Sequence, residues 1–452
     1  MFRAIKAGAA LLFAVARMAG AECTPSRLSE QETLEKFQQL DRAAQSAFDR
    51  GQFVEAARQY REATCLVPKS ARAFYGLGIA EAAAGQFPSA RVALESAYAI
   101  LPDNVMPLAM LVRVDVAMKD IDRLKQVLTL AAARFANNAD LHSSLARFLA
   151  ENQLLDLALA ESLRAEQTGA SDPASAVALA VLENSVGAYG DAILQARSVE
   201  EHANTSEPIK AAAAGVAGLS LESLGEREEA IKHLKLAVEL APTQETSFLA
   251  LALLYEKNHR YAEGIEVLEQ GRKQMPNSLN LLVSLGNNLV WAEEYEAGIG
   301  VLKDVIAREP KAAEAYIRLA EAYRNTGRPE LETQTLQQLA KLKPDYPMVG
   351  ILVARAMLTQ KEIDYSGVLR TLAQAEKTRP TDADIYYLRG KVYAQLARIP
   401  EAIAALRRAI ELRPMDPAPY YQLGIAYRKA GQMELSRQTL NRMEYLKKTA
   451  QP

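Results

Sequence analysis

The chain has 452 residues, of which 49% are apolar and 24% are charged, and its formal net charge is −2. This composition is typical of a folded protein and excludes bulk disorder. Alanine and leucine predominate, and the alternating Val/Ile/Thr runs that mark strands are missing, so helix is favoured over strand.

The charge is unevenly distributed along the chain. From Lys341 onward there are 19 Lys/Arg and 11 Asp/Glu, which gives +8, so residues 1–340 carry −10. A basic C-terminal third could attract an acidic partner. A solvated helical surface is the preferred interpretation, because acids alternate with the bases. We expect no nucleic-acid binding, which would need a denser basic patch with aromatic residues.

The N-terminus has the pattern of a secretory signal peptide. Arg3 and Lys6 precede an apolar segment, residues 7–16, and Ala19-Gly20-Ala21 provides small residues for cleavage. Ten apolar residues are too few to cross a bilayer, which needs about 20. We expect residues 1–21 to be removed and the protein to be periplasmic or secreted, with no transmembrane segment. The alternative is a cytoplasmic protein with an uncleaved N-terminus.

The chain contains two cysteines, Cys23 and Cys65. In an exported protein an even pair favours a disulfide, which would stabilise the fold by about 4 kcal/mol on the chain-entropy model. The alternative is two unconnected thiols.

Prolines recur with a fixed period of 34 residues, which indicates a repeat array. Each ends a predicted helix, because proline lacks the amide donor and its ring clashes with the preceding turn. The prolines of this column are Pro68, Pro102, Pro242, Pro276, Pro310, Pro344, Pro380 and Pro414.

Alignment on these prolines gives three further columns. Small residues, which allow two helices to approach closely, lie 24 positions before the proline: Ala44, Gly78, Gly218, Ala252, Gly286, Ala320, Ala356 and Gly390. Large side chains lie eight positions before it: Tyr60, Leu94, Leu234, Leu268, Leu302, Leu336, Leu372 and Leu406. Gly51, Gly85, Gly225 and Gly327 lie between the two helices, where a left-handed residue ends the first.

These columns together resemble the tetratricopeptide repeat family, whose unit is a helix–turn–helix of 34 residues. The resemblance implies an all-α, right-handed superhelical solenoid of about twelve repeats. We expect residues 22–36 to lead into repeats 1–5 at 37–206, repeats 6–9 at 211–346, and repeats 10–12 with a capping helix at 349–450. Because repeats 3–5 have lost the terminal proline and are degenerate, they could form a flexible joint.

No motif for catalysis or cofactor binding is present. The histidines, His142, His202, His233 and His259, lack metal-ligand spacing. Neither a phosphate-binding loop nor a nucleophile elbow occurs. We therefore expect a protein that is not an enzyme and has no metal or cofactor, an unrecognised enzyme being the less favoured alternative.

The resemblance also implies which residues contact a partner. In this family the second, fifth, sixth, ninth, twelfth and thirteenth positions of each repeat face a concave groove. The candidates are Asn287, Trp291, Arg318, Glu321, Arg324, Asn325, Tyr387, Lys391, Tyr421, Arg428 and Lys429. Trp291 is the leading anchor, because aromatic residues dominate interface energetics; packing against the adjacent turn is the alternative role. The family's clamp for a C-terminal carboxylate is not expected, since Val283 replaces its lysine.

The predicted function is a scaffold that holds a partner protein or peptide in this groove, in the bacterial cell envelope. The alternatives are a docking subunit of an envelope assembly or polysaccharide-export machine, and a cytoplasmic adaptor.

Overall fold

A computed structural model of the chain describes residues 28–168, 172–346 and 348–449. Within these ranges the regular structure consists of 24 helices without a strand, which confirms the all-α prediction. The helices belong to two compact units, an N-terminal half up to His233 and a C-terminal half from Leu234, and the division falls within α12.

The helices of the N-terminal half are α1 (Glu30–Asp49), α2 (Phe53–Leu66), α3 (Ala71–Ala83), α4 (Phe87–Ile100), α5 (Met106–Ala117), α6 (Ile121–Arg134), α7 (Ala139–Glu151), α8 (Leu155–Gln167), α9 (Pro173–Ser185), α10 (Tyr189–Glu201) and α11 (Glu207–Ser223). Helix α12 (Arg227–Leu240) follows at the division.

The helices of the C-terminal half are α13 (Glu245–Lys257), α14 (Tyr261–Gln274), α15 (Leu279–Trp291), α16 (Tyr295–Arg308), α17 (Ala313–Asn325), α18 (Pro329–Leu342), α19 (Val349–Met357), α20 (Tyr365–Thr378), α21 (Ala383–Gln395), α22 (Ile399–Leu412), α23 (Pro417–Lys429) and α24 (Met433–Thr449). Odd-numbered helices are the first, and even-numbered helices the second, of the predicted helix pairs.

Every proline of the 34-residue column lies just after a second helix. Helix α4 ends at Ile100 and Pro102 follows, and α16 ends at Arg308 before Pro310. In the degenerate part of the chain, α6 ends at the equivalent position although Ala136 replaces proline. The second helix can therefore end at this position of the repeat without the proline.

The four glycines predicted to end the first helices have left-handed backbones, with φ from 70° at Gly327 to 83° at Gly225. The same turn in other pairs holds a non-glycine residue in the left-handed region, such as Glu293 with φ 64° and Ala397 with φ 56°. The turn geometry is thus retained even where the sequence lacks the residue that adopts it most easily.

The column of small residues packs on the column of large ones. A Cβ atom added at Gly286 would lie 2.6 Å from Leu302 Cδ2, and one at Gly78 or Gly390 would lie 2.5 Å from Cγ of Leu94 or Leu406. Each glycine therefore lets the second helix of its pair place a leucine against the backbone of the first helix, as the spacing predicted.

Each half contains its own apolar core. In the N-terminal half a cluster from α4 to α9 includes Leu94, Leu111, Leu124 and Leu149, all at most 1% exposed. Complete burial of one leucine stabilises a fold by roughly 1.5–3 kcal/mol. Repetition of such clusters explains how a chain of short helices becomes stable, since a single helix pair cannot bury its own apolar face.

Helices α1, α11 and α19 depart from the regular pattern, and α11 has 17 residues and begins at Glu207, before the predicted start of the sixth repeat at residue 211. Helix α1 begins at Glu30, before the predicted start of the first repeat at residue 37, because Ser29 and Glu32 form a capping box. Helix α19 has only nine residues and is followed by a longer connection, residues 358–364. Arg355 of α19 occupies a position at which leucine is usual in this family. Its side chain is exposed, and its Nη2 lies 3.4 Å from Oδ2 of Asp384 on α21.

Glu183 on α9 is a buried acid without a cationic partner. It is 5% exposed and its Oε2 accepts no hydrogen bond. Burial first, and then the nearby carboxylates Asp191 and Glu166, together raise its pKa to about 7. Folding therefore retains a proton on Glu183 that the unfolded chain releases near its ordinary pKa of 4.5.

We expect the free energy of unfolding of the N-terminal half to fall by on the order of 2 kcal/mol between about pH 5 and pH 7, then to level off. Urea unfolding across this range checks the slope. Glu183→Gln should remove most of this pH dependence of the free energy of unfolding. Asp115, whose burial raises its pKa to about 6, should account for the smaller part that remains. An unchanged slope in the variant would contradict this assignment.

No helix of the described ranges is both long and apolar enough for a membrane span. The predicted signal peptide, residues 1–21, lies outside the described residues, as does Cys23. Cys65 is half-buried near the end of α2. The disulfide between the two cysteines stays a prediction.

Candidate partner-binding face

A pocket of about 450 Å³ lies among the first helices of three consecutive pairs, α13, α15 and α17. We call it the α13–α15–α17 pocket. It is lined by Leu249, Ala252, Leu253, Glu256, Asn280, Val283, Ser284, Asn288 and Glu314. The pocket belongs entirely to the C-terminal half, and most of its residues occupy the positions that the family resemblance assigned to a groove.

The sequence of α13 explains the apolar side of the pocket. Phe248, Leu251 and Tyr255 are spaced to share one face of the helix, and each is 1% exposed in the core. Leu249 and Leu253 follow on a different face, four residues apart, and Leu253 is 47% exposed. Leu253 therefore adds exposed apolar surface to the wall of the pocket.

Carboxylates border the apolar walls. Glu256 lies one turn beyond Leu253 on α13, and Glu314 lies in the first turn of α17. Burial raises the pKa of Glu256 above its ordinary range, and the negative charge of Glu314 acts in the same direction. The positive charges of Arg318 and Lys257 oppose this rise.

An aromatic and cationic stack adjoins the pocket. Trp291 ends α15, and its ring centroid lies 6.2 Å from that of Tyr261, the first residue of α14. The guanidinium of Arg318 lies over the Trp291 ring, 4.7 Å from its centroid. Such a cation–π contact contributes about 0.5–1 kcal/mol at an exposed site and more when water is excluded.

Arg318 connects this stack to the pocket. Its Nε donates to Glu314 at 3.2 Å, and its Nη1 donates to Glu321 at 2.8 Å. Two carboxylates on its own helix therefore fix the guanidinium in the position that covers Trp291. The result is an indole that is half-buried and held in one orientation, as suits an interface anchor.

The structure brings some of the predicted partner-binding residues together. Trp291 contacts Arg318 as described, and the Lys391 ammonium lies 5.8 Å from the centroid of the Tyr387 ring. Arg324 extends toward the buried Glu332 of α18 at 3.9 Å instead. Asn287 is half-buried, and its Oδ1 is enclosed without a hydrogen-bond partner. The remaining candidates lie exposed on their helices: Asn325, Tyr421, Arg428 and Lys429.

Sequence reasoning missed the residues of the seventh helix pair. The same positions that gave Asn287 and Trp291 assign Leu249, Leu253 and Glu256 to this surface, so the signal was present in the sequence. Tyr261 lies at the start of a second helix, outside those positions. Only the packing of α14 against α15 reveals it.

A larger pocket of about 690 Å³ lies in the N-terminal half among α7, α8 and α9. Its lining consists largely of alanine and serine, and its charged residues are mixed in sign: Asp140, Arg147, Glu166 and Asp172. It lacks an aromatic side chain, whereas the α13–α15–α17 pocket is smaller but adjoins Trp291 and Arg318. The latter is therefore the stronger candidate for recognition of a polypeptide.

Within the described residues, no three His, Cys, Asp or Glu side chains are placed to hold a metal ion.

Family models match four stretches of the chain. The model described as "TPR repeat" matches residues 398–431, and models described as "Tetratricopeptide repeat" match residues 42–105, 211–244 and 283–347. The chain therefore contains tetratricopeptide repeats in these four stretches, as its columns predicted. The number of repeats outside these stretches stays a prediction.

Three curated relatives are similar over about half of this chain. Tetratricopeptide repeat protein 8 of Caenorhabditis elegans is 22% identical over 47% of this chain and 42% of its own length. The BBSome complex member BBS4 homolog of Drosophila melanogaster is 23% identical over 45% of this chain and 34% of its own. The peroxisomal targeting signal receptor of Eremothecium gossypii is 24% identical over 50% of this chain and 40% of its own. The chain thus matches less than half of each relative.

Two solved structures are similar to this chain with TM-scores below 0.5. A tetratricopeptide repeat protein from Parabacteroides merdae has a TM-score of 0.41 at 14% identity, over 59% of this chain and 98% of that one. The crystal structure of MamA has a TM-score of 0.34 at 19% identity, over 36% of this chain and 95% of that one.

Proposed function

We propose that this protein is a non-enzymatic scaffold that binds a partner polypeptide on the face formed by α13, α15 and α17. Tetratricopeptide repeats and their relatives support protein–protein interaction as the general role. The observation that supports this particular face is the pocket with an exposed leucine, Leu253, next to an anchored tryptophan, Trp291. Apolar contact area with a rigid aromatic anchor is what gives most interfaces their affinity.

We propose further that the protein works in the bacterial cell envelope. This location rests on the pattern of residues 1–21, with Arg3 and Lys6 before an apolar segment and small residues before Glu22. Mass spectrometry of the mature protein should find Glu22 at its N-terminus. A mature chain that retains residues 1–21 in the cytoplasm would support an adaptor there instead.

The binding face is tested by replacing Leu253 with aspartate. The side chain is 47% exposed, so the substitution should leave folding nearly unchanged while it places a charge where an apolar surface is needed. Proteins captured from an envelope extract by residues 22–452 of the wild type should be missing from the variant. For a captured protein that is then purified, binding should weaken at least about tenfold, or 1.4 kcal/mol.

Leu331→Asp is the matched control, because Leu331 is a similarly exposed leucine on the second helix α18. It should capture the same proteins as the wild type. Trp291→Ala should reproduce the loss seen with Leu253→Asp. If Leu253→Asp binds normally, the proposed face is wrong.

A further inference from the structure

The charge of the α13–α15–α17 pocket indicates which side chain it accepts. Only two of its lining residues are charged, and both are glutamates, Glu256 and Glu314. Its other polar residues are Asn280, Ser284 and Asn288, and no cationic side chain is part of the lining. A polypeptide that enters this pocket therefore meets two carboxylates, of which Glu314 already accepts a hydrogen bond from Arg318 at 3.2 Å.

Arg318 pairs with one of these carboxylates, Glu314, and its other contacts lie outside the pocket lining. Arg318 donates to both Glu314 and Glu321 and covers the Trp291 ring. Its positive charge is thus shared between two glutamates of its own helix, and it also opposes the rise that burial causes in the pKa of Glu256. Lys257, the next residue of α13, is the other positive charge that acts on Glu256.

The walls beside the carboxylates are aliphatic. Leu249 and Leu253 of α13 and Val283 of α15 line the same space. Long basic side chains bury their methylene stems against such surfaces and keep the charged head at a polar edge. A shape of this kind, with an apolar wall and an anionic edge, is complementary to arginine or lysine.

Asn288 lines the pocket but does not offer its free acceptor to a partner. It is 1% exposed, its Nδ2 donates to the Ser284 carbonyl at 3.0 Å, and its Oδ1 faces Gly264 of α14, where an added Cβ atom would lie 2.6 Å from that oxygen. The charged acceptors of the pocket are therefore the carboxylates of Glu256 and Glu314.

We infer that the α13–α15–α17 pocket binds an arginine or lysine side chain of the partner polypeptide, with its stem against Leu249, Leu253 and Val283 and its charged head at Glu256 and Glu314. This inference rests on the proposed function. It adds to that function the chemistry of the recognised side chain.

A pair of short acetylated peptides tests the inference. One contains arginine between two leucines, and the other has norleucine in its place, which keeps the stem and removes the charge. Binding is followed by the fluorescence of Trp291, the only tryptophan of the chain, which Arg318 links to the pocket. The arginine peptide should bind the full-length protein at least about tenfold more tightly, and its affinity should fall as salt is added.

Glu256→Gln removes one carboxylate without altering the bonds of Arg318, and Glu256→Gln/Glu314→Gln removes both. We expect the preference for arginine to fall severalfold in the single variant and to be lost in the double variant. Glu266→Gln/Glu330→Gln is the matched control, because both residues are exposed on second helices, and it should keep the preference. Equal binding of the two peptides by the wild type, or no saturable change up to about 1 mM, would overturn the inference.

The two proposals can fail separately. If Leu253→Asp abolishes binding of the purified partner but the glutamine variants bind it normally, the face is right and the basic side chain is wrong. If Leu253→Asp leaves partner binding intact, the face itself is wrong.

Discussion

Replacing Gly286 with valine is expected to lower the free energy of unfolding of the C-terminal half by about 2–3 kcal/mol, since overpacking of a filled core carries a cost of this size. Gly286 on α15 faces the side chain of Leu302 on α16, which is completely buried. A Cβ atom at Gly286 would lie 2.6 Å from Cδ2 and 2.7 Å from Cγ of Leu302. Because Cγ is close to the backbone of α16, the two helices must move apart.

Gly300→Val is the matched control for this prediction. Gly300 lies on α16 of the same helix pair, but a Cβ atom there meets nothing within 4 Å. Valine should be neutral or slightly stabilising at this site, because glycine is a poor residue inside a helix. Urea unfolding, with hydrogen exchange of α15 and α16 as the local probe, measures both variants. Equal midpoints would show that the spacing of the helices does not depend on Gly286.

The largest loss of stability is expected for Glu161→Leu, about 3–5 kcal/mol in the N-terminal half. Glu161 on α8 and His142 on α7 are both 0% exposed. His142 Nδ1 lies 2.6 Å from Glu161 Oε2, and its Nε2–H donates to the Phe135 carbonyl at 3.1 Å. Arg164 pairs with the other oxygen of Glu161. Leucine at position 161 would leave a buried imidazole nitrogen without a partner.

The double variant His142→Leu/Glu161→Leu separates pairing from packing. Both polar groups are removed together, so much of the stability lost in the single variant should return. The midpoints of urea unfolding of the two single variants and the double variant form the thermodynamic cycle. Additive losses would show that His142 and Glu161 contribute independently, contrary to their geometry.

The repeat pattern was predictable because the same residue types recur at a fixed spacing along the chain. Proline, glycine and leucine each have one local consequence, and Pro310, Gly327 and Leu302 lie where their columns predicted. The start of α1 could not be obtained in the same way. It depends on the capping box of Ser29 and Glu32, which lies before the first repeat.

The candidate site was only partly predictable. A position in the repeat indicates which face of a helix a residue occupies. Leu253, Asn280 and Glu314 have such positions and line one pocket, but the sequence analysis did not name them as candidates. The position does not indicate the direction in which a long side chain points. Arg318 bends over Trp291 whereas Arg324 turns toward Glu332, and these directions arise from contacts with neighbouring helices.

Buried polar pairs were also beyond sequence reasoning. His142 and Glu161 are 19 residues apart, and no spacing rule joins them, so the sequence alone did not indicate that they pair. Their contact arises only when α7 and α8 pack. The same holds for Glu183, whose burial depends on the helices around it rather than on its immediate neighbours in sequence.

The most direct test of the binding face is site-specific photo-crosslinking to the purified partner. A photoreactive residue is placed at Leu253 in one preparation and at Leu331 in another, two exposed leucines on a first and a second helix. If α13, α15 and α17 form the binding face, the partner should crosslink at position 253, and excess unlabelled protein should suppress the crosslink. Crosslinking at position 331 but not at 253 would contradict the account.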